Sequence, residues 1–447
     1  MELYAQALLY GIPLFSFFIF LELFVGRIKT GNFEFFSNFD TISGLSAGLL
    51  NVIRDVLGIG VLAVLAYPFL LKHIQFFNIG NEWYVYLLSF IFLDFASYWT
   101  HRIAHTINYF WNSHVVHHSS ERYTLSCALR QPFLPEITVY AVFLIPAAIL
   151  GIPTEIIAIL APIHLFAQFW YHTKFIGHLG FLEKIIVTPT QHGIHHAVNK
   201  EYMDKNYSAI FNIWDKVFDS FQEPIPGVTT VYGLSRPNRT WNPFKIGFSH
   251  IWLMITDAWR TKNWADKFTI WFKPTGYRPA DVEEKYPVKA IEDVYKYKEY
   301  NTNPSLVLII WTWIQFIFVL ALLYFLFYQI SNINNSSALS LFTNKDNEII
   351  GINLLLYAAF IFSAIYGFTT VMDKEKSGAI WAALTTVFGF IIVFVVNNGT
   401  WFNLDETIPY GTAFFIALLM VHFFGAIFFS FKQEWAIGEH RELVTEF

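Results

Sequence analysis

Three features of this chain predict an all-α, polytopic integral membrane protein with a histidine-rich two-metal site on its cytoplasmic side. Hydrophobic residues make up 55% of it and charged residues only 14%, a balance typical of a chain solvated by lipid. Nine apolar runs recur along the sequence, and a helix needs about 20 such residues to cross roughly 30 Å of hydrocarbon. Eight of the 15 histidines fall in three short clusters whose spacing matches the α-helical repeat.

In chain order the runs lie near 5–26, 46–71, 83–100, 133–150, 154–172, 304–330, 349–371, 378–397 and 410–431. The first lacks a basic n-region and is long enough to span, so it is expected as a span rather than a cleavable signal. Arg54 and Asp55 interrupt the second, which is expected to start at the interface before it spans. The fourth and fifth are short, with Pro135 near the start of one and Pro153 between them. They read either as two spans or as one re-entrant hairpin, and both readings return the chain to the same side.

Lysine and arginine favour cytoplasmic loops. With the N-terminus outside, Arg27, Lys29, Arg102, Arg122, Arg130, the basic residues of 174–298, Lys374, Lys376, Lys432 and Arg441 face the cytoplasm, and only Lys72 and Lys345 face away. All three histidine clusters then fall on the cytoplasmic side, of either a bacterial inner membrane or the endoplasmic reticulum.

Composition divides the chain into 1–302, spans plus a cytoplasmic cap that carry every histidine cluster, and 303–447, a region of four transmembrane helices. Within the first part, 173–302 is polar but rich in tryptophan: Trp241, Trp252, Trp259, Trp264 and Trp271 are expected at the membrane surface, over the metal site, or in ordinary packing. The single cysteine, Cys127, excludes an intramolecular disulfide. The net charge of -5 points to no nucleic-acid partner.

The clusters are His101-x3-His105, His114-x2-His117-His118 and His192-x2-His195-His196. Residues three and four apart are neighbours on a helix, so the first offers two converging nitrogens and the others up to three each. One ion is satisfied by three or four protein ligands, so eight imidazoles indicate two metals sharing an open, catalytic site. The H-E-x-x-H box of zinc proteases is absent, since Arg102 follows His101. Asp94, Tyr98, His101 and His105 form one helical stripe. Asp94 is therefore expected to accept the free N–H of a metal-bound histidine, with an interfacial acid meeting water or Arg102 as the alternative. A ninth ligand is expected from His172, with His178 and His164 as rivals; His73, His250, His422 and His440 read as structural or solvent-facing. Imidazole suits iron, zinc and copper alike. Apolar C–H bonds offer no handle for hydrolysis, so a site beside lipid points to iron, oxygen activation and hydrogen abstraction.

At these residues the sequence resembles the fatty acid hydroxylase and sterol desaturase superfamily of membrane di-iron oxygenases. The histidine boxes carry the resemblance, with Asp94, Tyr98, Trp99, His101 and Arg102 in the third span, Trp111 to Gln131, Gln168 to Thr173 and Thr188 to Phe221. The four spans after residue 303 are similar to the architecture of the superfamily's ether-lipid-cleaving, tetrahydrobiopterin-dependent branch. The resemblance implies two Fe2+ ions held by His101, His105, His114, His117, His118, His192, His195 and His196, completed by His172. It also implies that Asp204, Asn206 and Tyr207 orient ligands or the pterin, where the bland alternative is a structural turn. That branch carries glutamate after its first box, where this chain has Thr106. The implied reaction uses O2 to cleave the alkyl ether bond of a glyceryl ether lipid, giving fatty aldehyde and a glycerol derivative. The alternatives are hydroxylation or desaturation of a sterol, fatty acyl or carotenoid lipid with a protein electron donor, and a non-catalytic metal carrier.

Overall fold

In a computed structural model, which describes residues 2–57, 62–134, 139–331 and 351–432, the protein is helical, with three isolated β-bridges and no named strand among those residues. Pro135, Lys345, His440 and Arg441 lie outside the described residues. Among the described residues, five helices are long and apolar enough to cross a membrane: Gln6–Thr30, Leu306–Ser331, Ile352–Met372, Ser377–Val396 and Gly411–Phe431. The chain is a multi-pass membrane protein.

Tertiary contacts separate two units, one of Phe15–Arg239 with Phe244–Tyr300, the other of Met1–Leu14, Thr240–Pro243 and Asn301–Phe447. Helix α1 (Glu2–Thr30) contains the first apolar run. Around the second run, α2 (Asn38–Val56) begins upstream, where Ser37 Oγ caps Asp40 N, and α3 covers Leu62–Ile74. Arg54 and Asp55, paired with each other, stand at the last turn of α2.

Helix α4 (Trp83–Thr106) is 24 residues long but is not among the five apolar spans. Its polar residues, Ser89, Asp94, Tyr98, His101, Arg102 and His105, turn it into the scaffold of the site. The short helix α5 (Trp111–His118) follows. Of the fourth and fifth runs, the described part of the first gives the helical turns Tyr140–Phe143 and Ile145–Leu150, and the second gives α6 (Thr154–Phe166), 13 residues long. At 1.5 Å per residue such a helix covers about 20 Å, too little to cross; these lengths fit the re-entrant reading. Gly151 makes the turn at φ 77°, and a Cβ there would come 2.0 Å from Phe77 O. Leu93, Ala96, Leu144, Ala147, Ile152, Ile156 and Tyr67 form the core that joins the hairpin to α3 and α4. Within it, Tyr67 Oη donates to Ile152 O at 2.9 Å.

Helices α7 (Pro189–His195), α8 (Pro243–Arg260) and α9 (Trp264–Thr269) complete the first unit's main elements. In the other unit, α10 (Leu306–Ser331), α11 (Ile352–Met372), α12 (Ser377–Phe390, continued by a π turn to Val396) and α13 (Gly411–Phe431) pack together. Trp401 stacks on Phe415 at 4.0 Å between centroids, and Trp311 Nε1 donates to Val421 O across a gap that only Gly425 leaves open. His422 Nδ1 lies 3.0 Å from Gln315 Oε1 within this bundle, a structural placement.

Candidate metal centre

Nine histidines of the first unit converge in two groups, His101, His105, His114, His118 and His195 in one, and His117, His172, His192 and His196 in the other. In each group one ligand atom per residue lies within 4.8 Å of all the others. The first cluster lies wholly in one group, whereas the second and third are divided between the two. On α5, His114 and His118 sit four apart and share a face, while His117 turns toward the second group. On the third cluster, His192 and His196 share a face and His195 turns away. The groups touch where the rings of His118 and His196 stack at 4.4 Å.

Paired nitrogens face inward: His101 Nε2 lies 2.8 Å from His114 Nε2, His118 Nε2 3.0 Å from His195 Nε2, and His192 Nε2 2.9 Å from His172 Nε2 and 3.0 Å from His196 Nε2. Donors held at about 2.1 Å around a tetrahedral or octahedral ion lie about 3.0 to 3.4 Å apart, so these spacings suit a metal. Four of the far nitrogens are tied to main-chain carbonyls, while His192 Nδ1 is buried without a hydrogen-bond partner. His101 Nδ1–H donates to Tyr207 O at 2.7 Å, His195 Nδ1–H to Lys205 O at 2.9 Å, His172 Nδ1–H to Gln168 O at 3.0 Å and His117 Nδ1–H to Arg130 O at 3.3 Å. Such bonds put the proton on Nδ1 and leave the Nε2 lone pair for a metal.

Burial and neighbouring imidazoles push His114, His118, His192, His195 and His196 well below the ordinary histidine range, and burial first of all brings His117 down to about 3. Both effects favour the neutral ring, the form that ligates. His105 Nε2 is buried with no hydrogen-bond partner. An unsatisfied buried polar group costs about 1–3 kcal/mol, and an ion in the first group would remove that cost. All nine donors thus fit metal binding.

The carbonyls are themselves held. Asp215, buried, accepts from the main-chain N–H groups of Tyr207 and Ser208 at 2.8 and 3.0 Å, and from Ser220 Oγ at 2.8 Å. Tyr98 Oη lies 2.8 Å from Ser220 Oγ, and Arg102 Nη1 donates to Tyr98 Oη and Phe218 O. Around the other group, buried Arg130 donates from Nη2 to Asp40 Oδ1 at 2.8 Å and Asp40 O at 2.7 Å, while Ser120 Oγ donates to Asp40 Oδ2 at 2.6 Å. Asp40, Arg130 and Asp215 were not found from the sequence, because each is a single charge at no characteristic spacing. The one available signal was the rarity of charge in so apolar a chain.

Asp94 differs from its expected role. Its Oδ1 accepts from His164 Nε2 and Ile210 N, both at 2.9 Å, and its Oδ2 from Phe211 N at 3.0 Å and Trp214 Nε1 at 2.9 Å. None of these partners is one of the nine, so Asp94 anchors the segment that leads into Asp215. His164 is thereby occupied and belongs to neither group. His178, exposed and 3.2 Å from Glu183, also stands outside.

Asn206 clasps the fold: its amide donates to Gln191 O and Gln222 O and accepts from Gln222 N. Asp204, half-exposed in a left-handed turn at φ 58°, places Oδ1 3.9 Å from His105 Nδ1. Tyr207 is buried, its ring 5.3 Å from that of His105. Thr106, exposed, bonds back to Arg102 O.

Residues 86–220, which hold all three clusters, match the family model of fatty acid hydroxylases. The chain is 33% identical to human alkylglycerol monooxygenase over 374 residues, covering 83% of this chain and 79% of that protein. It is 34% identical to the zebrafish (Danio rerio) alkylglycerol monooxygenase over 60% of this chain and 59% of that one. Similarity extends, at 27% identity over 39% of this chain and 53% of the relative, to an ornithine lipid hydroxylase of Rhizobium tropici. No solved structure matches.

Proposed function

The chain belongs to the alkylglycerol monooxygenase family within the fatty acid hydroxylase superfamily, and on that premise we propose that it cleaves the alkyl ether bond of glyceryl ether lipids with O2. The observation that carries this reading is the pair of all-imidazole groups, five and four histidines, inside the 86–220 family match. Two Fe2+ ions, one in each group, would supply the oxygen activation that no side chain can provide.

The chain's own residues do the rest. The nine imidazoles hold the charge without cancelling it, the carbonyls of Tyr207, Lys205, Gln168 and Arg130 keep their tautomers, and burial keeps bulk water from the centre. The balanced reaction adds one oxygen atom of O2 to the carbon next to the ether oxygen and reduces the other to water with two electrons and two protons. The hemiacetal then collapses to fatty aldehyde and a free glycerol hydroxyl. Tetrahydrobiopterin is the proposed two-electron donor, and Asp204, beside His105, is the group proposed to meet it.

The distribution of lysine and arginine supports a cytoplasmic site. Residues 1–302 are proposed as the oxygenase domain and 303–447 as a separate membrane region.

The test incubates iron-loaded protein with an alkylglycerol and a matched ester lipid, with and without tetrahydrobiopterin. The expected result is aldehyde from the ether alone, dependent on iron, O2 and pterin. Aldehyde formation independent of all three would overturn the reading. Oxygenation of another lipid with a protein donor would instead select the hydroxylase alternative, which similarity to the ornithine lipid hydroxylase keeps in view.

A further inference from the structure

Helices α8 and α9 carry an apolar edge that the described residues leave uncovered. On α8, Phe248, Trp252, Ile255 and Trp259 follow at intervals of four, three and four, so they lie on one face, and all four are exposed, Trp259 by 86%. The edge continues through Trp264 and Phe272, each 72% exposed, and Phe268, whose ring stacks on Trp264. The opposite face of α8 is buried through Ile246, Met254 and Asp257. Asp257 takes a two-pronged bond from Arg278, Nε at 2.6 Å and Nη2 at 2.9 Å, both residues buried. The face is therefore a fixed surface and not a loose segment.

Charge says what covers it. Between residues 257 and 273 stand Arg260, Lys262, Lys267 and Lys273 against two acids. Asp257 is neutralised by Arg278, and Asp266 accepts from Tyr277 Oη and Asn263 Nδ2. A tryptophan- and phenylalanine-rich edge flanked by cations is the signature of a helix lying in the plane of a bilayer, its rings at the acyl boundary and its cations among phosphate headgroups.

The same segment is fastened to the link between the first two histidine clusters. Asn108 N donates to Lys273 O and Tyr109 N to Trp271 O, Asn108 Nδ2 donates to Ile270 O, Gly276 N donates to Asn108 Oδ1, and His250 Nε2 bonds to Asn108 O. Asn108 stands three residues after His105 and six before His114.

We propose that α8 and α9 form an interfacial blade that seats in the lipid headgroup layer and, through Asn108, sets the depth of the histidine centre in the leaflet. The inference does not depend on which lipid is oxidised. The test uses the full chain in lipid nanodiscs containing phosphatidylcholine and phosphatidylglycerol. Nitroxides are attached one at a time at Trp252→Cys, Trp259→Cys and Phe268→Cys, with Lys289→Cys as a reference; the native Cys127 is buried and does not compete. Labels at 252, 259 and 268 are expected to meet dissolved O2 more readily than a water-soluble nickel chelate, and the label at 289 the reverse. The three positions are exposed, so loss of one variant leaves the others readable. Nickel access at 259 and 268 equal to that at 289, or dipolar broadening from a second copy, would overturn the proposal. A label at Thr106→Cys is expected to move toward water in the Trp252→Ser/Trp259→Ser variant; an unchanged depth would overturn the link through Asn108.

Discussion

His117 and His118 are consecutive, yet they serve different groups, because successive residues on a helix stand about 100° apart. On the two-iron reading, His117→Ala takes a ligand from one group and His195→Ala from the other. Each is expected to lower bound iron and abolish lipid oxidation while the melting transition by circular dichroism survives; unfolding in either variant would make these side chains structural. Asp94→Asn removes an acceptor from the four donors of His164, Ile210, Phe211 and Trp214. It should lower unfolding stability by about 1–3 kcal/mol, read in detergent, with a smaller effect on iron content than either histidine variant. The three clusters were legible from spacing, since helical neighbours are fixed by the backbone; His172 stood out only by its place at the end of the fifth run, beside His178 and His164. The division into five and four was not legible, because it depends on which face each short helix turns to its neighbours. Asp94 was expected to orient a metal-bound histidine and instead meets His164, Ile210, Phe211 and Trp214, because spacing along one helix does not say which neighbouring element the stripe faces at each turn.

At the scale of elements, the Gly151 turn joins Ile145–Leu150 to α6 against Phe77 O. Gly151→Ala combines an unfavourable positive φ with a backbone clash and should destabilise by more than about 1 kcal/mol, measured by chemical unfolding; a neutral result would show that the hairpin relaxes freely. The blade gives a pH prediction. Burial lowers His250 from 6.5 to about 4, so the unfolded chain takes up its proton first. His250 therefore contributes stability that is present above about pH 6.5 and is lost as pH falls toward 4. His250→Gln keeps a donor for Asn108 O and should flatten that part of the melting-temperature profile; an unaltered slope would contradict it. Hydropathy found the long helices because length and apolarity suffice there. It does not separate a helix that only crosses lipid from one such as α4, whose polar residues build the site.

For the whole molecule, composition alone established a multi-pass membrane protein, and five apolar helices agree with it. Nine apolar runs need not be nine crossings, since α6 is short and the described part of the run before it forms two short helical segments. Apolarity records burial in protein as well as in lipid, and the hairpin core of Leu144, Ala147, Ile152 and Ile156 is the former. What unites the scales is a centre that four separate parts of the chain build together: α4, α5, the stretch ending at His172, and α7 with His196. The most direct test is the iron content and anomalous scattering of the purified, iron-loaded protein. The account predicts two ions per chain, one inside the group of His101 and His195 and one inside the group of His117 and His192. A single ion, or iron bound away from these histidines, would contradict it.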